Sequence, residues 1–399
     1  MNQAPQRGPR FRMTELRGIT WNHTRGYLPM VATGQRFSEM HPDVAIRWEK
    51  RSLKQFGDLA LNELTEQFDL LVIDHPFIGA AAAQQMLLPL EQHLSTEFLQ
   101  GQAANSVGKS NASYIFSGSQ YALAIDTAAP ISGWRSDLLD KAGCAVPSTW
   151  NELLELAKRG LVAISGTRID LLMHLYMVSI GLGEEPFTKP GVFASRDVTV
   201  QAVEMLRELA QAVSREFSTY NPIMVWERLA NGGAQAYCPF AYGYSNYSRE
   251  GYAKHWMDVG GLISIDGKSR CRSTLGGAGL AISSRCRSIE TAAEYCQYTA
   301  GADCQTRLYF ESGGQPGYRA AWYDDEVNRR CHGFFQKTLQ TLDEAWLRPR
   351  WNGYHHFQDE AAMLVHQFVW QGGDARAVAS TLNDMAGKMC QPESARDYA

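Results

Sequence analysis

The stretch "FDLLVIDHPFIGAA", residues 68–81, decides how the chain is read. Leu70 to Ile73 is a short apolar run without alternation, the pattern of a strand buried on both faces. It stops at Asp74-His75-Pro76 and passes into an alanine-rich helical stretch, with Pro76 suited to a first helical turn. A strand feeding a helix in this way is one unit of an open α/β sheet. In such sheets the residues just past a strand's carboxyl end line the ligand crevice, and Asp74 and His75 stand there.

Working outward, the same rhythm recurs. "GITW" (18–21) reads as a strand, and "LPMVATGQRFSEM" (28–40) as a helix with Met30, Gly34 and Phe37 on one face. A second strand lies within "HPDVAIRWEK" (41–50). A short helix over 56–64 aligns Phe56, Leu59, Ala60 and Leu64, and "YALAID" (121–126) is a fourth strand. This βαβα order predicts a mainly parallel sheet covered on both faces. The middle is more helical. "PSTWNELLELAK" (147–158) carries a capping box, Thr149 to Glu152, and "VQAVEMLRELAQAV" (200–213) has one apolar stripe. "AQAYCPFAYGY" (234–244) is strand-like and ends in tyrosines. "GGAGLAIS" (276–283) is a glycine turn entering a strand, which is the reverse of a phosphate-binding strand-to-helix turn and reads better as a hinge. Helices follow at 288–300 and in the last segment, where Phe357, Ala361, Leu364 and Phe368 repeat.

The totals narrow the function classes. At 399 residues the chain suits two domains or one large α/β domain. A formal net charge of −4 with no basic block argues against nucleic-acid binding. No run reaches the roughly 18 apolar residues of a membrane-spanning helix. The eight cysteines (Cys144, Cys238, Cys271, Cys286, Cys296, Cys304, Cys331 and Cys390) form no CxxC pair, so zinc-ribbon and thioredoxin-like readings fail. Unpatterned thiols, and a polar arginine-rich start with no apolar signal region, point to the cytoplasm.

Candidate site residues collect at strand ends. They are Trp21, Asn22, His23, Thr24 and Arg25 after the first strand, Arg51 after the second, and Asp74 and His75 after the third. Tyr242 and Tyr244 add a tyrosine pair, and Trp351, Tyr354 and His355 an aromatic segment. Aromatic faces with a few polar groups suit a small polar ligand. Catalysis would need a nucleophile beside His75 or His23, and no GxSxG elbow is present. No HExxH occurs, and the adjacent His355 and His356 point apart, so neither a metal nor another cofactor is expected.

Five segments together resemble the family 1 extracellular solute-binding proteins of ABC importers, whose best-known members bind maltose and other sugars. They are 37–49, 68–91, 121–158, 276–301 and 311–322. The most specific is "WRSDLLDKAG" followed by Pro-x-Thr-Trp-x-Glu-Leu. The resemblance implies a periplasmic-binding-protein-like type II α/β fold, two lobes with mainly parallel sheets joined by a crossing-strand hinge. The first lobe would comprise 1–126 and 281–325, and the second 127–280 and 326–399 with the C-terminal helices. Crossings would fall near 126–129, 274–281 and 322–325. It also adds Arg168 and Asp170 as second-lobe contacts. It implies a non-enzymatic monomer that captures a sugar, polyol or carboxylate-bearing solute between the lobes and hands it to an ABC permease, with no membrane insertion. The family default is periplasmic. His23, Arg25, Arg51 and His75 favour an anionic group on the solute. The alternative is a cytosolic enzyme or ligand sensor on the same fold, with His75 or His23 as base.

Overall fold

The computed structural model describes residues 13–57, 61–268 and 270–389. The expected positions Leu59 and Ala60, and Cys390, lie outside the described residues. Strands β1 (Thr14–Trp21), β2 (Val44–Arg51) and β3 (Leu70–Ile73) are parallel neighbours, with helix α1 (Thr24–Met40) between the first two. All four residues of β3 are buried, as an apolar run without alternation requires. Helix α1 begins at Thr24, four residues before the expected 28–40, because His23 caps it by accepting the Arg25 N–H.

The chain then crosses. Strand β4 (Leu123–Ala128) belongs to the first sheet and β5 (Pro130–Trp134) to a second one. Helices α2 (Trp150–Lys158), α3 (Arg168–Gly181) and α4 (Arg196–Ala212) follow. Strands β6 (Tyr237–Tyr242) and β7 (Asp258–Gly260) flank β5. Strand β8 (Gly276–Ile282) returns to the first sheet, giving the orders β2-β1-β3-β8-β4 and β6-β5-β7. The capping box on α2 forms as its sequence predicts, with Thr149 and Glu152 each satisfying the other's backbone N–H.

The first sheet is mixed and the second antiparallel, so the sheets are not mainly parallel. β8 runs antiparallel to both β3 and β4, and both pairings of β5 are antiparallel. The cause is topological. β8 comes back from the second lobe, so it enters the first sheet from the opposite end. Gly277 makes that entry possible: its φ is +113° and a Cβ there would lie 2.3 Å from the Asp126 carbonyl oxygen.

Two apolar clusters cover the faces of the first sheet, one including Leu16, Leu70, Val72, Leu280 and Cys296, the other Ile19, Leu71, Ile73, Phe77 and Ala281. The alternation of β3 residues between them follows from the two-residue side-chain period of a strand. A single larger cluster fills the second lobe from Ala129 to Leu275 and takes in helices α5 (Phe334–Asp343), α6 (Tyr354–Gln371) and α7 (Ala375–Met389). Trp322 is already buried in that cluster, and Gln315 exchanges hydrogen bonds with Thr127 on the crossing.

Candidate functional site

The carboxyl ends of β1 and β3 face the end of β6 across the crossing strands. Arg25, in the first turn of α1, is buried. Its guanidinium forks onto Asp126 of β4, with Nε 2.8 Å from Oδ2 and Nη2 on Oδ1, and Nη1 donates to the Gly243 carbonyl at 2.7 Å. The Tyr244 ring lies 4.6 Å from the guanidinium carbon. Burial disfavours the Arg25 charge, but Asp126 outweighs it and holds the pKa above the ordinary arginine value. His23 packs edge-on against Tyr244 with ring centres 4.7 Å apart, and its Nε2 is 3.4 Å from the Tyr252 hydroxyl. Burial first, then Arg25, lowers His23 to about 3, so it is neutral.

Asp74 caps a short helical turn, accepting the His75 N–H at 2.9 Å. Both its oxygens also accept from Arg348, each at 2.8 Å. Burial would raise Asp74, but Arg348 and then His75 reverse that and keep it well below the usual carboxylate range. The His75 ring is wholly buried. Its Nδ1 sits 3.3 Å from Asp74 Oδ1 without the alignment of a hydrogen bond, and Nε2 has no partner. Burial, then Arg348, lowers His75 to about 4. His75 therefore packs as a neutral ring behind Asp74.

Two further groups are charged or poised. Arg51, 8% exposed, donates to the Val72 carbonyl at 3.2 Å and covers the Phe56 ring at 5.2 Å, while Nε and Nη1 have no partner. Burial lowers its pKa to about 9. Asp170, in the first turn of α3, accepts the Thr167 hydroxyl at 2.5 Å, and burial raises it to about 7 despite that bond.

The remaining expected residues separate by depth. Trp21 packs on Phe56, and Trp351 and Tyr354 pack with Phe187 in the second-lobe core, so these three rings are core aromatics. The Tyr354 hydroxyl meets that of Tyr176 at 3.0 Å. Asn22 and Arg168 are exposed, and Thr24 is half-buried against Gly313. His355 is half-buried, 6.0 Å from the Phe77 ring, and Tyr242 reaches Thr274 at 3.4 Å. Tyr244 thus meets His23 and Arg25, not the Asp74–His75 corner. Sequence reading placed Asp126 only at a hinge and overlooked Arg348 altogether. The available signal was "RPRWNGY", arginines directly ahead of an aromatic segment. Among the described residues no group of three or more His, Cys, Asp or Glu comes together to hold a metal, and no helix is long and apolar enough to cross a membrane.

Two lobes joined by crossing strands, with polar and aromatic side chains meeting in the seam, define a two-lobe binding-protein fold. Solved structures share it. Maltose-bound MalE3 of T. maritima superposes with a TM-score of 0.82 at 19% identity, over 94% of this chain and 99% of that one. A ribitol complex of an ABC transporter solute-binding protein from Agrobacterium radiobacter K84 gives 0.79 at 15% identity, over 94% and 98%. UgpB of Mycobacterium tuberculosis with glycerophosphocholine gives 0.77 at 14%, over 94% and 98%. No curated protein matches the sequence. Residues 32–327 match the bacterial extracellular solute-binding protein family, and the chain belongs to that family. That family is one of solute-binding proteins and not of enzymes. The cytoplasmic expectation gains no support, since the family is an extracellular one.

Proposed function

We propose that the seam between the lobes captures a small polar solute, a sugar, polyol or carboxylate-bearing molecule, and delivers it outside the cytoplasm to an ABC permease, the binding protein acting as a monomer. The lobes divide near residues 126 and 280, and the third boundary, expected at 325, falls between 310 and 325 in this reading because Phe310 and Trp322 pack in the second-lobe core. Maltose, ribitol and glycerophosphocholine in the structural relatives support a solute of this size and polarity. Closure by hinge rotation needs only a solute with higher affinity for the closed form.

The observation that carries the finer choice is Arg51. Of the four cationic candidates read from the sequence, Arg25 is neutralised by Asp126, and His23 and His75 are held neutral by burial. Arg51 alone among these four keeps a charge with two unpartnered N–H groups beside the strand ends. A carboxylate or other anionic group on the solute matches that fork. Isothermal titration against sugars, polyols and organic acids tests it. Arg51→Met should weaken an anionic solute by about tenfold or more, while leaving thermal stability equal or higher, because it removes a buried, unneutralised cation. Tight binding of a neutral sugar with no loss in Arg51→Met would sink the anionic reading.

A further inference from the structure

Asp74 and Arg348 come from different lobes. Asp74 follows β3 of the first sheet. Arg348 lies in the link between α5 and α6, where Nε donates to the Leu275 carbonyl and Nη1 to Gln358 of α6 at 3.2 Å. The Trp346 backbone pairs with Ser273 and Leu275, so this link is anchored to the strand that becomes β8. From that anchor it reaches the first lobe at three points. Arg348 Nη2 donates to both Asp74 oxygens, Arg350 donates to the Ala112 and Ile115 carbonyls at 2.6 and 2.7 Å, and Gly79 abuts the Arg350 carbonyl so closely that a Cβ would lie 1.8 Å from it.

We propose that residues 346–351 form a strap latching the lobes together, with the Asp74–Arg348 ion pair as its clasp. The consequence for capture rests on the solute-binding reading above: Arg348 touches both Asp74 oxygens, so it fixes the carboxylate at the first-lobe strand end and ties that strand end to the second lobe. The clasp then sets how far the lobes stand apart before a solute arrives. The guanidinium matters because Nε and Nη1 hold it to Leu275 and Gln358 while Nη2 meets Asp74, a set of contacts that a lysine ammonium does not reproduce.

The clasp is tested on the full chain with no solute added, by small-angle scattering and amide hydrogen exchange. Arg348→Ala and Asp74→Asn should each raise the radius of gyration and cut amide protection in 346–351 by about tenfold or more. The double variant should do no more than either single one, because both remove one bond pair. Arg348→Lys should fall between wild type and Arg348→Ala. Gly79→Ala leaves both charges in place but wedges the strap off the first lobe, so it should expand the molecule as well. Arg329→Ala, on an exposed ion pair, is the control. Circular dichroism confirms folding. If Arg348→Ala does not fold, Asp74→Asn and Gly79→Ala decide. Folded variants with unchanged radius and protection would overturn the latch. Solute titration of the wild-type chain is scored separately, so failure of the solute reading would leave the latch result standing.

Discussion

Asp170 changes protonation within ordinary buffers. Its folded pKa of about 7 lies above the usual carboxylate value because burial disfavours the charge. Between about pH 4 and 7 the unfolded chain loses this proton while the folded chain keeps it. The unfolded state therefore binds fewer protons, and this residue's contribution to stability falls as pH rises through that window. Asp170→Asn should remove the slope. Relative to wild type it should gain on the order of 1–4 kcal/mol between pH 4 and pH 8, read from urea melts at both. Equal differences at the two pH values would mean that Asp170 ionises freely when folded. The residue was legible as a candidate only through its place in a family loop. Its protonation was not legible, since a one-dimensional string does not show that Asp170 is buried and accepts the Thr167 hydroxyl.

Elements were more legible than residues. The helix α2 shows why: capping needs only Thr149 and Glu152 at a fixed spacing, and Leu153, Leu154 and Ala157 supply its buried face. Thr149→Ala should cost about 1 kcal/mol, seen as a lower urea midpoint with an unchanged slope. No change would mean that the tertiary packing of Trp150 and Leu153 holds the helix start without its cap. The strand β3 was equally plain, because four consecutive apolar residues between turn signals suit a doubly covered strand. Strand direction was not plain. The run "GGAGLAI" reads as a strand either way, and only the return path from the second lobe makes it antiparallel to its neighbours.

At the scale of the whole molecule, Arg25 joins three bodies: the start of α1, the crossing strand through Asp126, and the end of β6 through Gly243. Arg25→Ala leaves Asp126 buried and unpaired and should destabilise the protein by about 3–5 kcal/mol. Thermal and urea melts check this, and a loss below about 1 kcal/mol would class the pair with surface bridges. The sequence by itself determined the alternation of strands and helices, the helix caps, the two-lobe class through its five family-like segments, and the strand-end loops where polar groups collect. Those depend on local spacing and on hydrophobic pattern, which are properties of neighbouring residues. Only the tertiary structure decided which of the polar groups neutralise one another. Asp126 pairs with Arg25 across 101 positions and Asp74 with Arg348 across 274. Whether a charge is buried, paired or left over as in Arg51 depends on which distant carboxylates fold against it, and that is settled in three dimensions.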